Sequence, residues 1–461
     1  MARVVPAVAY PLWQDEVASA RIMDSATVGA ALDRIEQTES TPPLWYLLAW
    51  TVHRTGLPVE AARGIGVAAG ALLAGLLVVY GRRFLPLWGA GLAGLAVAVA
   101  GPLVLRGAEL RAYSLYACLA LAFGWLLERA ATRPRRGRLL ALAAVAAAGL
   151  LTHYFFAFVL IAGLTWLWTS PLGRTARTRA SLATAAGIVP FLVWTPSLAE
   201  QVENQRYSWI SGFSLVKVVA VYSAFGWNPG PLYVANRVDL GTGETVLRAA
   251  VFLLVVAGCV VLWGLGPRGR LTALLAVGPV ALAALLWIGG ENLFTSRNVL
   301  ASAPFAALAL AALATSLPRG FGPAAGVVLL AVVVGGAVHE SRLAPPPYDR
   351  VAASLVALGW KDGDRLAIFP DPDRPSYLGS IYGFRGPVGW YLPGHPEPRL
   401  SAGGPCVRAF AVVPGSVPPS RGNVEERATV DGVNVLRVSC SRGFDDDVRA
   451  GGGLVFVPRR D

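Results

Sequence analysis

Ten long apolar runs, joined by short loops that are alternately rich and poor in arginine, restrict this chain more than any motif in it. They lie near residues 61–80, 85–105, 112–129, 139–151, 154–169, 183–199, 247–265, 271–288, 298–317 and 321–339. A helix needs roughly 20 apolar residues to cross a hydrocarbon core of about 30 Å, and shorter runs are tolerated inside bundles. The runs therefore predict a polytopic α-helical membrane protein of about ten spans. The stretch Leu139–Trp168 is read as two short helices turning at Thr152-His153-Tyr154, because the flanking loops demand a double crossing.

That demand comes from the tendency of short cytoplasmic loops to collect Lys and Arg. Arg82 and Arg83; Arg129, Arg133, Arg135, Arg136 and Arg138; Arg174, Arg177 and Arg179; Arg268 and Arg270; and Arg319 all fall on one side when the ten runs alternate. The loops 13–41, 200–246 and 289–297, and the whole C-terminal region, then face outward. Ten crossings that end outside also begin outside, so this topology anticipates an eleventh helix ahead of Met1. The first residues show no charged n-region or small-residue cleavage site of a signal peptide. Pro42–Arg54 is apolar but too short to span comfortably. It reads as an interfacial helix, with Pro42-Pro43 in its first turn and Trp45, Tyr46 and Trp50 in the headgroup layer.

A formal charge of +12 would suit an acidic partner, yet the proposed inner loops hold 13 basic residues against one acid, Glu128. The rest of the chain is nearly balanced, so the excess is an orientation signal and nucleic acid is excluded as a partner. With 55% apolar and 15% charged residues, an ordinary soluble enzyme is excluded as well. Residues 345–461 differ, carrying 27 charged side chains in 117 positions against 41 in the preceding 344. After a stiff linker, Ala344-Pro-Pro-Pro-Tyr348, they have the pattern of a small extracytoplasmic α/β domain. A helix is expected over Tyr348–Gly359, with strands at Asp364–Phe369, Val407–Val413, Val433–Val438 and Leu454–Val457. Cys406 and Cys440 both fall in this outward domain, where a disulfide between them would persist. Cys118 and Cys259 sit in apolar runs as small core residues.

Charged residues outside the basic loops are the informative ones. Asp15 and Glu16 open the first outer loop, as solvated or helix-capping acids or as a reactive pair. In Arg106-Gly-Ala-Glu109-Leu-Arg111-Ala-Tyr113, an outer arginine can grip a phosphate with its planar fork of donors or pair locally with Glu109, while Glu109 and Tyr113 can share a helical face. Arg297 can bind an anion or anchor the interface, and His153 is a hydrogen-bonded turn residue or a catalyst.

Taken in order, Leu-Trp-Gln-Asp15-Glu16, Thr41-Pro-Pro-Leu-Trp-Tyr46, Glu109-Leu-Arg111-Ala-Tyr113, Thr152-His-Tyr-Phe155 and a late Arg297 followed by Pro304 resemble the GT-C membrane glycosyltransferases of family 39, the protein O-mannosyltransferase type. The likeness runs from Pro11 to about Pro318. It implies a polyprenyl-phosphate-linked sugar, mannose or arabinofuranose, as donor and a glycan, lipid or protein acceptor. It places the reaction at the outer face of a bacterial plasma membrane, among membrane lipids. It further implies a catalytic pair in Asp15 and Glu16 with Asp15 as base, donor-phosphate binding by Arg111 and Arg297, and substrate positioning by Glu109, Tyr113 and His153. Thr41 stands where many members have His, and Asn298 where Tyr commonly follows the arginine. A divalent ion is compatible with such chemistry, though the sequence shows no His/Asp cluster of ligand spacing. The rival readings are a transporter or lipid flippase and a non-catalytic envelope assembly protein. The runs lack the mid-span charges and internal repeats that transporters often carry.

Overall fold

The computed structural model describes residues 4–204, 210, 212–225, 242–291, 293–341, 346–369, 381–401, 408–414, 424–439, 444–450 and 452–459. Each of the ten apolar runs is helical. Five helices are long and apolar enough to cross a membrane by themselves: Val59–Gly81, Tyr113–Thr132, Thr245–Gly264, Pro267–Ile288 and Phe321–Val338. Two more candidates are bent pairs, Leu87–Val99 with Gly101–Ala108 at 55° and Arg174–Leu192 with Thr195–Glu203 at 64°. Both breaks have a proline just inside the second helix, Pro102 and Pro196. There a missing N–H costs nothing, so the chain can restart a helix in a new direction. Leu139–Trp168 is divided as its flanking loops require, into Arg136–Thr152 and Phe156–Thr169, with His153 extended between them.

Two compact units make up the chain: Met1–Val8 with Ser19–Leu343, and Ala9–Ala18 with Ala344–Asp461. The larger is the helical one. At its centre lies Ala303–Ser316, apolar on every side and buried from Ala303 to Ala312, the pattern expected of a helix surrounded by others. It packs against Thr242–Gly264, Leu87–Val99 and Pro267–Ile288. Small residues permit the approach: a Cβ on Gly258 would stand 2.1 Å from the carbonyl oxygen of Ala309. In lipid such backbone contact replaces the hydrophobic effect as the source of helix association. Cys118 and Cys259 are buried free thiols in this unit.

The aromatic residues of Leu44–His53 differ from expectation. Trp45 and Tyr46 are 0% and 2% exposed, packed inside the protein where rings facing lipid headgroups had been expected. The reason is chemical, since the Tyr46 hydroxyl has partners inside, described below.

One end of the bundle is held by a charge cluster. Glu128, 2% exposed, accepts from Arg83 at 2.6 Å and from Arg268 at 3.1 Å. Arg83 follows the first long helix, Glu128 lies near the end of the Tyr113–Thr132 helix, and Arg268 opens Pro267–Ile288. The single acid of the arginine-rich loops thus ties three of them together at a common end.

The smaller unit is a mixed six-stranded sheet of β1 (Arg365–Ile368), β2 (Glu397–Leu400), β3 (Ala409–Pro414), β4 (Val424–Val430), β5 (Val433–Val438) and β6 (Leu454–Arg459), in the order β2-β6-β1-β3-β5-β4. The central pair β1 and β3 is parallel and the other pairs are antiparallel. Helix Tyr348–Ala357 precedes the sheet as expected. The strands β2 and β4 carry Pro or alternating charge and gave no apolar run to read. Cys406, Cys440 and the first residues of the linker lie outside the described residues. Inside the unit, Asp445 accepts from Arg365 and Ser401 in buried surroundings.

Replacing Glu128 with Ala should lower the stability of the detergent-solubilised protein by about 1–3 kcal/mol, below the cost of breaking a fully buried pair because Arg83 and Arg268 keep partial access to solvent. A fall in thermal midpoint is the measurement, and an unchanged midpoint would mean that the cluster does not hold the loops.

Candidate active site

The acidic pair sits at a helix start. Helix Gln14–Met23 has Asp15 and Glu16 in its first turn. The Glu16 carboxylate accepts the backbone N–H of Trp13 at 3.3 Å, the reciprocal half of a capping box. Glu16 is 1% exposed, whereas Asp15 is half-buried. The two acids are therefore inequivalent: Glu16 closes the helix end, and Asp15, one position earlier, is less buried.

Arg111 is held by a network from a different part of the chain. It donates to Glu39 at 2.8 Å and approaches the Ser19 hydroxyl at 3.4 Å. Glu39 also accepts from the Tyr46 hydroxyl at 2.6 Å, and that hydroxyl lies 2.8 Å from Oγ1 of Thr41. The guanidinium carbon stands 5.8 Å from the Tyr46 ring centroid. Burial, opposed by Arg111 and reinforced by Glu39, raises the Tyr46 pKa well above its ordinary value, so the phenol stays protonated and donates. The segment Glu39–Tyr46 owes its shape to helix ends. Glu39 caps the Val28–Thr38 helix with its N–H on Ile35, and Pro43 precedes the helix that carries Tyr46. Thr41, at the position where His is common in the family it resembles, uses its hydroxyl in this network.

Glu109 belongs to a neighbouring arginine. It receives Arg106 at 2.8 and 3.0 Å, both groups being buried, and the Arg106 guanidinium lies 5.4 Å from the Tyr113 ring centroid. Because Glu109 precedes the Tyr113–Thr132 helix, it does not share a helical face with Tyr113. Gly66 makes room for this turn: a Cβ there would come within 2.5 Å of the Gly107 carbonyl oxygen.

His153, 3% exposed, stacks on Tyr116 with centroids 4.5 Å apart and lies 6.2 Å from the Tyr113 ring. Tyr116 in turn donates to the carbonyl of Asn298 at 3.1 Å, which fastens the turn containing Arg297 to the same helix. The side-chain amide of Asn298 donates to Leu293 at 2.9 Å, so the residue that replaces the usual Tyr serves to shape the turn. Burial first, then the positive charges of Arg111 and Arg297, lower the His153 pKa from 6.5 to about 3. The ring contacts place both arginine segments around this imidazole, since Arg111 is two residues from Tyr113 and Arg297 adjoins Asn298, which Tyr116 holds. The structure thus brings Arg111, Tyr113, His153 and Arg297 to one end of the helical unit, with Glu109 beside them on Arg106. A patch with two guanidinium groups can hold an anion. Among the described residues no three His, Cys, Asp or Glu side chains are grouped to hold a metal ion.

Two residues of the site were not singled out in the sequence. Glu39 has only a position two residues before Thr41-Pro-Pro as a signal, and Tyr116 resembles any aromatic residue in an apolar helix.

No protein-family model and no curated protein sequence matches this chain. Solved structures do. ArnT from Cupriavidus metallidurans in the apo state is 12% identical with a TM-score of 0.56, over 95% of each chain. The same protein bound to undecaprenyl phosphate gives 12% and 0.55, over 95% of this chain and 96% of that one. The apo oligosaccharyltransferase of Archaeoglobus fulgidus is 11% identical with a TM-score of 0.52, over 78% of this chain and 57% of its own longer chain. The chain therefore shares the fold of these proteins, and with its long apolar helices it is an integral membrane protein. At these identities the likeness speaks for the fold and leaves the activity to the residues.

Removal of Glu39 leaves Arg111 buried without this counter-charge and takes one of two hydrogen-bond partners from the Tyr46 hydroxyl. Glu39→Ala is expected to cost about 3–5 kcal/mol, read as a drop in thermal midpoint, while Tyr46→Phe should cost about 1 kcal/mol. Equal, small effects of the two would show that the ion pair does not organise this region.

Proposed function

We propose that this protein is a glycosyltransferase that moves a sugar, mannose or arabinofuranose, from a polyprenyl-phosphate carrier to an acceptor hydroxyl at the external membrane face. The observation that carries the reading is the placing of the Arg111–Tyr113 and Arg297–Asn298 segments around His153, at one end of a helical bundle that shares its fold with ArnT bound to undecaprenyl phosphate. The ten-span topology, with the Glu128 cluster inside and this end outside, supplies a reason for the arrangement: lipid-linked sugars serve where nucleotide sugars are absent.

In the proposed reaction the acceptor oxygen attacks the anomeric carbon from the face opposite the phosphate. Asp15 takes the acceptor proton, the bond from carbon to phosphate oxygen breaks, and the polyprenyl phosphate leaves with the electron pair. The configuration inverts. One carboxylate suffices as general base for such a displacement. Arg111 and Arg297 neutralise the charge that grows on the leaving phosphate. Glu16 caps the helix of Asp15, Glu109 holds Arg106 beside the site, and Tyr113 and His153 position substrate. Removing the general base leaves binding intact but the attacking hydroxyl unactivated.

Asp15→Asn should retain membrane insertion and lower kcat for transfer from a polyprenyl-phosphate sugar by about 100-fold or more; near-normal transfer would take Asp15 out of the mechanism. Arg111→Ala is expected to weaken donor binding, and unchanged donor affinity would remove its phosphate role. Profiling lipid-linked saccharides in a deletion strain would identify the donor sugar by its accumulation.

A further inference from the structure

We propose that His153 is a fixed hydrogen-bond donor to the carrier phosphate, its Nε2–H completing an anion cradle with Arg111 and Arg297. This rests on the functional reading above and adds to it a stated atom and a stated bond. The backbone N–H of Phe155 points at Nδ1 of His153 at 3.3 Å. An N–H donor there requires a lone pair on Nδ1, which puts the single proton of the neutral ring on Nε2. That Nε2 is buried and has no hydrogen-bond partner among the described residues. Buried donors are almost always satisfied, so an orphan calls for an explanation, and a bound ligand is one.

The ring cannot readily turn away to find another partner. It lies parallel to Tyr116, 15° between planes, and meets the Phe155 ring edge-on at 5.8 Å. Tyr116 is itself anchored through its hydroxyl to Asn298. A residue needed only to shape the turn would use Nδ1 and leave no orphan, a task that Asn performs as well. The ring itself lies between the segments that carry the two arginines, with Tyr113, two residues from Arg111, at 6.2 Å, and Tyr116 bonded to Asn298, next to Arg297. A neutral imidazole suits that place, since it adds a directed donor without adding a third positive charge. The preference for the neutral form follows from burial and from the two arginines, as described for the site.

The test is undecaprenyl phosphate binding by the full-length protein in detergent, with donor KM and kcat measured alongside. In His153→Asn the amide oxygen can keep the Phe155 contact at the Nδ1 position while the Nε2 donor is lost; in His153→Gln the amide nitrogen reaches about as far as Nε2. Asn is expected to weaken lipid binding and raise donor KM by about 10- to 100-fold with a smaller change in kcat, and Gln to restore most of the loss. Inorganic phosphate is the second probe, and the same Asn-specific weakening is expected for it. The proposal is overturned if Asn binds the lipid like wild type, if Gln and Asn are equally weak, or if Asn affects free phosphate and spares the lipid. Histidine-labelled NMR of the wild-type protein covers a variant that does not fold: the lipid should shift the Nε2–H of His153 and leave Nδ1 unprotonated, and an unmoved signal overturns the role. If the wild type binds no undecaprenyl phosphate and transfers nothing from it, the broader functional reading fails too; if it does both while Asn is unaffected, only the role of His153 fails.

Discussion

A charge in hydrocarbon has no water to solvate it, so every ionised group in the helical unit must sit at a helix end or carry a counter-charge with it. This constraint organises the molecule. The Tyr113–Thr132 helix has Arg111 just before its start and Glu128 near its finish, about 25 Å apart at 1.5 Å per residue. Between them the helix is apolar. At one end Glu128 gathers arginines from two other loops; at the opposite end arginines are compensated by Glu39 and Glu109.

The two ends differ in kind. Around Glu128 two arginines share one acid and remain partly exposed, an arrangement that ties loops together. At the Arg111 end the ion pairs are buried, and each guanidinium is also set against an aromatic ring, Tyr46 for Arg111 and Tyr113 for Arg106. A buried pair gains little net stability because desolvation offsets attraction, but it holds its members in one orientation. Orientation is what the proposed anion site would need, and His153 is likewise held in place by the rings stacked on it.

Much of this was readable from the residues. The apolar runs, the division at Thr152-His153-Tyr154 and the strands β1, β3, β5 and β6 follow from periodicity and composition, which act within a few residues. Edge strands β2 and β4 were not readable, since their charged or proline-containing sequences have no apolar face to report. Trp45 and Tyr46 were assigned to the membrane interface because an amphipathic ring suits that layer. The carboxylate of Glu39 and the hydroxyl of Thr41, which draw Tyr46 inward, are identified only once the helix ends have folded back on one another.

The sequence by itself determined that the chain is helical and membrane-embedded, where its arginine-rich loops lie, and which charged residues stand apart from them, because hydropathy and charge are properties of single segments in a given solvent. Only the tertiary structure decided how those charges are paired: Glu39 with Arg111, and Glu109 with Arg106. Ion pairing depends on distance through space, as between Glu39 and Arg111, which lie 72 positions apart in the chain and 2.8 Å apart in the fold.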